Sequence, residues 1–121
     1  MATKVSSYKD LVVYQKSKIL TSDVITHFSG YKLPIAKQFL LNQLFRAAGS
    51  IPANIAEGFG RNSKGSFRQF ISIARGSSFE VDCWLEIMQN TGDFDDKKIK
   101  EFLSKNVEVS KMLSGLMKAL H

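Results

Sequence analysis

Apolar residues recur every three or four positions along most of the chain, which is the spacing of side chains on one face of an α-helix. This pattern predicts four helices, over residues 10–28, 34–58, 63–90 and 96–120. On the third helix the predicted core positions are Phe67, Phe70, Ala74, Val81, Trp84, Leu85 and Met88. The strict alternation of a half-buried β-strand is not found in the sequence.

The segments between the predicted helices are short and contain residues that begin or end a helix. Pro34 suits a first helical turn, and Gly58 is expected to end the second helix. Asn62 or Ser63 offers an N-cap to the third helix, and Asp95 to the fourth. Four amphipathic helices joined by short turns predict an all-α fold, an up-down-up-down antiparallel four-helix bundle, with residues 1–121 as one domain.

Pro52 lies inside the pattern of the second helix, where it has no N–H to donate to the carbonyl four residues earlier. We therefore expect one kinked helix with a bend near residues 48–52. The Asn54 amide could bond the carbonyl freed near residue 48, and Glu57 could pair with Arg61 four residues on. These residues are interpreted as a structural motif that ends at Gly58; direct contact of Asn54 and Glu57 with a ligand is the alternative.

Composition places the chain among ordinary globular proteins, with 44% apolar and 23% charged residues. No stretch approaches the roughly 20 apolar residues of a membrane span. The N-terminal sequence also lacks the apolar segment of a signal peptide. The sequence therefore predicts a soluble cytoplasmic protein that has no membrane partner.

The charge is divided unevenly along the chain. Residues 1–78 carry eleven Lys or Arg and three Asp or Glu, whereas residues 79–121 carry six and eight. A basic half of this kind is suited to a polyanionic partner. The candidate nucleic-acid contacts are Lys37, Arg46, Arg61, Lys64, Arg68 and Arg75.

Three of these cations form a stripe on the third helix. At about 100° per residue, Lys64, Arg68 and Arg75 fall on one line, which Asp82 and Glu86 continue. The stripe is predicted to be exposed, and its basic-to-acidic order opposes the preference of the helix dipole. An intermolecular function would explain this order, and an ordinary solvated face is the alternative.

Three apolar residues are predicted to lie outside the core, Phe39 on the second helix and Ile71 and Phe79 on the third. Exposed aromatic residues beside arginines are typical of a protein interface or of a platform on which bases stack. The predicted oligomer interface therefore comprises Phe39, Ile71, Phe79, Asp82 and Glu86.

Residues suited to catalysis or metal binding are sparse. The histidines are His27 and His121, and Cys83 is the single cysteine. We expect His27 to pack at a helix end and Cys83 to be a small buried hydrophobic residue. Because no paired carboxylates or metal-ligand spacing occur, the sequence predicts no catalytic residue, no metal, no cofactor and no enzymatic activity.

Two long motifs carry a family resemblance, RAAGSIPANIAEGFGR at residues 46–61 and SKGSFRQFISIARGS at residues 63–77. With YKDLVVYQK at residues 8–16 and MLSGLMKAL at residues 112–120, they resemble the four-helix bundle proteins encoded in intervening sequences of bacterial 23S ribosomal RNA genes. That family is also described as ribosomal-protein-like, and accessory proteins of diversity-generating retroelements are similar to it. The resemblance covers almost the whole chain.

The resemblance implies a ring-shaped homopentamer without an established enzymatic activity. Through the retroelement proteins it further implies a basic ring that binds RNA or DNA and a reverse transcriptase. This chain has Phe45 where the family often has Arg or Lys, which reduces the basic surface beside Arg46. Two functions are thus predicted: a non-catalytic accessory protein that binds nucleic acid or, alternatively, a protein-interaction scaffold whose charged stripe serves ring assembly.

Overall fold

The computed structural model describes residues 5–121. A single 3-10 turn, Tyr8–Asp10, precedes four helices: α1 (Val12–Phe28), α2 (Ile35–Phe59), α3 (Lys64–Thr91) and α4 (Asp96–Ala119). The described part of the chain contains no strand. The all-α prediction is confirmed, and each helix begins and ends within two residues of its predicted bounds.

The helix ends show why the elements begin where they do. The Ser63 hydroxyl accepts a hydrogen bond from the Ser66 N–H, and the Asp95 carboxylate accepts one from the Lys97 N–H. Both side chains satisfy an amide that the first turn leaves without a helical partner. The N-caps predicted at Ser63 and Asp95 are therefore confirmed.

The four helices form a closed bundle. Along the sequence, each helix packs against the next, and α4 returns to pack against α1. Since the connections are short, successive helices run antiparallel. The core contains the largest fully buried side chains, including Phe28, Leu44, Ile51, Ile71, Leu85, Phe102 and Leu113.

The core face of α3 differs from the predicted one. Its buried positions are Ile71, Ala74, Ser78, Val81, Leu85 and Met88, a regular three-and-four spacing. Ile71 is 0% exposed, so the predictions of its exposure and of its place in an oligomer interface are wrong. The predicted face included the large aromatic Phe70, which lies about 100° from Ile71 around the helix axis. Phe67, Phe70 and Trp84 are half-buried at the edges of the true face.

Helix α2 continues through Pro52 because another helix satisfies the carbonyl that proline leaves free. The Thr21 hydroxyl of α1 lies 2.8 Å from the Ala48 carbonyl oxygen and donates to it. The prediction that Asn54 fills this place is wrong, since its amide donates to the carbonyl and hydroxyl of Ser50, at 2.7 and 2.9 Å. A change in the direction of the helix axis at Pro52 stays a prediction.

Gly58 lies within α2, and the prediction that it ends the helix is wrong by one residue. The helix ends at Phe59 and is capped by Gly60, whose N–H donates to the Ala56 and Glu57 carbonyls. Gly58 is buried against α3, and a Cβ atom placed on it would lie 2.6 Å from the Phe70 Cβ. Its function is to let α2 and α3 approach closely.

A polar pair joins α3 to α4 inside the core. The Ser78 hydroxyl donates to the Asn106 side-chain oxygen at 2.8 Å, and the Asn106 amide donates to the Ser78 carbonyl at 2.8 Å. Both residues are buried. Because a buried polar group costs stability unless it is paired, this reciprocal bond favours one register of α3 against α4.

Candidate nucleic-acid interface

The antiparallel topology gathers cations at one end of the bundle. The end of α2 and the start of α3 meet there, and the last turn of α4 lies beside them. We name this surface the basic end and define it by Lys9, Arg61, Lys64, Arg68 and Lys118. Two carboxylates, Asp10 and Glu57, lie at the same end.

Two arginines of the basic end are held by the fold. The Arg61 guanidinium pairs with the Glu57 carboxylate at 2.7 Å, as predicted, and lies 4.7 Å from the centroid of the Phe70 ring. Arg68 is half-buried, and its Nε–H donates to the Met117 carbonyl at 3.2 Å. That carbonyl belongs to the last turn of α4, where helical donors are lacking and a cation is favoured. The stripe on α3 was predicted to be exposed, and for Arg68 that prediction is wrong.

Two lysines of the basic end are not engaged in this way. Lys64 is the first residue of α3 and Lys118 lies in the last turn of α4; both are exposed. Among residues 5–121, no ion pair involves either lysine. Their ammonium groups can therefore meet a phosphate without first breaking a salt bridge.

The other predicted cations lie elsewhere. Lys37 is near the opposite end, where its ammonium group bonds the Asp93 carboxylate at 2.9 Å and lowers the pKa of that carboxyl. Arg46 is exposed in the middle of α2. The Arg75 guanidinium leans toward α4, 3.4 Å from the Ser114 hydroxyl oxygen. The six predicted cations thus do not form one surface.

Sequence reasoning missed Lys9 and Lys118 as members of the basic end. Both lie far in sequence from the basic stretch around residues 61–68, and Lys118 lies in the half of the chain that is acidic overall. The up-down topology was the available signal, because it places the end of α4 beside the start of α3.

The exposed aromatic residues occupy two different faces. Phe39 is 50% exposed and Phe79 is 57% exposed, which confirms both predictions of exposure. On the outer face of α2 and α3, the Phe39 ring meets the Trp84 ring edge to face at 6.1 Å. We define the α2–α3 apolar patch as Ile35, Phe39, Trp84 and Ile87.

His27 and Cys83 lie in different surroundings. His27 is half-buried at the end of α1, with ring centroids of Phe28, Tyr31 and Phe102 at 4.8, 5.5 and 5.8 Å. The expectation that it packs at a helix end is confirmed. Cys83 is exposed, so the prediction of a buried cysteine is wrong. That prediction placed Cys83 beside Trp84 on the core side of the third helix, whereas the buried positions Val81, Leu85 and Met88 put residue 83 outside the core face.

Over residues 5–121, three or more potential metal-ligating side chains do not come together at any point. The same residues include no helix with the length and apolar character that crossing a membrane requires.

Comparisons with known proteins agree with the fold. Residues 9–115 match the family model described as 23S rRNA-intervening sequence protein. A solved structure from Bacteroides thetaiotaomicron VPI-5482, described as a protein with unknown function from the S23 ribosomal protein family, is similar with a TM-score of 0.79. It is 23% identical in sequence, and the alignment covers 88% of this chain and 99% of that chain. A comparison with curated proteins gave no match.

Proposed function

The chain belongs to the 23S rRNA-intervening sequence protein family, and we propose that it is a non-catalytic, homo-oligomeric cytoplasmic protein that binds RNA or DNA through its basic end. The observation that carries this proposal is the convergence of five cations from four segments on one end of the bundle. Such a surface recognises the phosphate backbone, which supplies affinity with little dependence on base sequence.

The cations of the basic end divide into two kinds. Arg61 and Arg68 are fixed by Glu57 and by the Met117 carbonyl, so they present charge from defined positions. Lys64 and Lys118 are exposed, and a lysine ammonium group on its flexible four-carbon chain can adjust to the position of a phosphate. The proposed phosphate contacts therefore combine two arginines held in defined positions with two lysines that can adjust to the ligand.

Oligomerisation would multiply this surface. In a closed ring every subunit presents the same surfaces in the same orientation. If the bundle axes run along the ring axis, all basic ends lie on one side of the ring. The family resemblance sets the proposed number at five, and a polyanion could then contact several subunits together.

A double charge reversal tests the proposal. Lys64→Glu with Lys118→Glu changes the two lysines that no salt bridge engages within residues 5–121, so the bundle should stay folded. The matched control, Lys32→Glu with Lys97→Glu, makes the same charge change near the opposite end. At about 50 mM salt, filter binding should show at least about tenfold weaker RNA binding for the first variant and a much smaller loss for the control.

The outcome also distinguishes binding at the basic end from a general charge effect. Equal losses in the two variants would show that only net charge matters, which contradicts a defined surface. Light scattering of both variants should return the mass of the parent oligomer, because neither change alters the exposed residues of the predicted interface, Phe39, Phe79, Asp82 and Glu86.

The second candidate function is a protein-interaction scaffold without nucleic-acid binding. It is favoured by the α2–α3 apolar patch, in which Ile35 is 87% exposed and Phe39 50% exposed. A face of this kind suits a second protein, either another copy of the chain or a reverse transcriptase as the resemblance implies. If the parent forms an oligomer but binds neither RNA nor DNA at low salt, the scaffold is the better account.

A further inference from the structure

A groove on the α3–α4 face lies outside the basic end. Its volume is about 270 Å³, close to the lower limit of small-molecule sites and suited to one flat ring. The lining residues come from both helices: Phe79, Asp82, Asn106, Val107, Ser110 and Lys111. One wall is thus aromatic and aliphatic, and the rim carries both a cation and a carboxylate.

Phe79 gives this groove an exposed aromatic face. The residue is 57% exposed, and the Arg75 guanidinium lies 5.8 Å from its ring centroid. Arg75 is itself held near α4 by the Ser114 hydroxyl at 3.4 Å. An exposed ring with a positioned arginine is the arrangement on which nucleic-acid bases stack, and the cation also attracts the adjoining phosphate.

One side of α3 leads from the basic end to the groove. Arg68, Arg75 and Phe79 follow each other at intervals of seven and four residues, which keeps them on the same side of the helix. From Lys64 to Phe79 the helix rises about 22 Å. A single strand whose phosphates meet the basic end could therefore continue past the two arginines to the groove.

Asp82 would let the groove distinguish a base that carries an exocyclic amine from uracil. A carboxylate beside the stacking position repels a phosphate but accepts a hydrogen bond from the exocyclic amine of a base, as from N4 of cytosine. Uracil has no such amine, and its one base-edge donor, N3–H, lies between two carbonyl oxygens that a carboxylate repels. The chemistry of the lining therefore favours cytosine over uracil at this position.

We propose that the α3–α4 groove binds one base of single-stranded RNA or DNA, stacked on Phe79 with its amino group directed to Asp82. This inference rests on the proposed nucleic-acid binding and adds to it a stacking site and a base preference. The site requires an unpaired base, since a base inside a duplex is already stacked on its neighbours. Single strands should therefore bind better than a duplex of the same length.

The test compares labelled oligocytidylate and oligouridylate of equal length by fluorescence anisotropy with the intact oligomer. The parent should bind oligocytidylate more tightly. Phe79→Ala should weaken oligocytidylate binding about fivefold or more with an unchanged salt slope, because a stack and no phosphate contact is lost. Phe79→Trp should retain the affinity. Ile73→Ala, an exposed apolar change on the same helix outside the groove lining, should have no effect.

Asp82→Ala should abolish the preference for cytosine over uracil. Glu86→Ala is its matched control, since it removes the same charge one turn further along α3 and does not line the groove. It should preserve the preference. Equal base preferences in the two variants would overturn the assignment of Asp82.

The experiments distinguish a failure of the groove proposal from a failure of the proposed nucleic-acid binding. If the parent binds both strands with a steep salt dependence but Phe79→Ala binds as tightly as the parent, the groove proposal is overturned and the basic end stands. If Phe79→Ala changes the oligomer mass, Phe79 belongs to a subunit interface and the groove proposal is overturned. If the parent binds neither strand at low salt, the proposed function fails and the groove proposal fails with it.

Discussion

Replacing Thr21 by valine removes the hydrogen bond that lets α2 pass through Pro52. In the structure the Thr21 hydroxyl is 2.8 Å from the Ala48 carbonyl oxygen, and it also lies 2.9 Å from the Ser17 carbonyl. The Ser17 carbonyl is inside α1, where the helical ladder supplies an amide donor. The Ala48 carbonyl has no such donor because Pro52 has no N–H. It is therefore the group that loses its partner.

The expected cost follows from the burial of that carbonyl. Ala48 is fully buried, so water cannot replace the missing donor. An unsatisfied buried acceptor costs about 1–3 kcal/mol, a large part of the roughly 5–15 kcal/mol that stabilises a domain. Valine has nearly the same shape and helix propensity as threonine, so little else changes. Thr21→Ser keeps the hydroxyl and serves as the matched control.

Urea unfolding followed by circular dichroism measures the effect, and a double-mutant cycle assigns it. In Pro52→Ala the new N–H can donate to the Ala48 carbonyl, so Thr21→Val should then cost at least about 1 kcal/mol less. A cost that is the same in both backgrounds would refute the reasoning, because the lost bond would then be unrelated to Pro52.

Three further predictions concern packing and charge. Gly58→Ala should destabilise the bundle by about 1–3 kcal/mol, because the added Cβ would collide with Phe70. Gly76→Ala has open space around the added Cβ and should stabilise the bundle by up to about 1 kcal/mol. Equal urea midpoints for the two variants would contradict this. Asn106→Leu should cost about 1–3 kcal/mol by leaving Ser78 unpaired, and adding Ser78→Ala should recover part of the loss in the same assay. Hydrogen bonds lower the pKa of four carboxyls, Asp10, Asp93, Asp96 and Glu101. The stabilisation that these carboxylates contribute is complete above their unfolded pKa values, 3.8 for Asp and 4.5 for Glu. It is lost as the pH falls through their lower folded pKa values, so Tm should decrease at pH values below about 4. A Tm that stays constant down to about pH 3 would contradict this prediction.

The sequence predicted the helices well because helix formation and burial follow local periodicity. Four apolar stripes and the caps at Ser63 and Asp95 were sufficient to place every helix within two residues. The rotation of α3 was predicted less well. Periodicity does not decide between Phe70 and Ile71, and the neighbour that decides is Gly58 of α2, whose close approach leaves Phe70 at the helix edge.

Contacts between segments far apart in the chain could not be predicted from the sequence, because they too depend on how the helices pack against each other. Nothing near Pro52 in the chain points to Thr21, which is 31 residues away and belongs to another helix. Likewise, Arg68 has an exposed position by helical angle, but the Met117 carbonyl draws it against α4. The sequence therefore predicted that the candidate site is basic but identified only some of its residues, since Lys118 comes to the site through tertiary packing.

The salt dependence of RNA binding tests the central claim most directly. If the basic end holds the phosphate backbone, the logarithm of the affinity of the parent should fall linearly with the logarithm of salt concentration. In the Lys64→Glu and Lys118→Glu variant the slope should be shallower by about one or more, because two phosphate contacts per subunit are lost. An affinity that does not respond to salt, or a slope that the variant shares with its parent, would contradict binding at this end of the bundle.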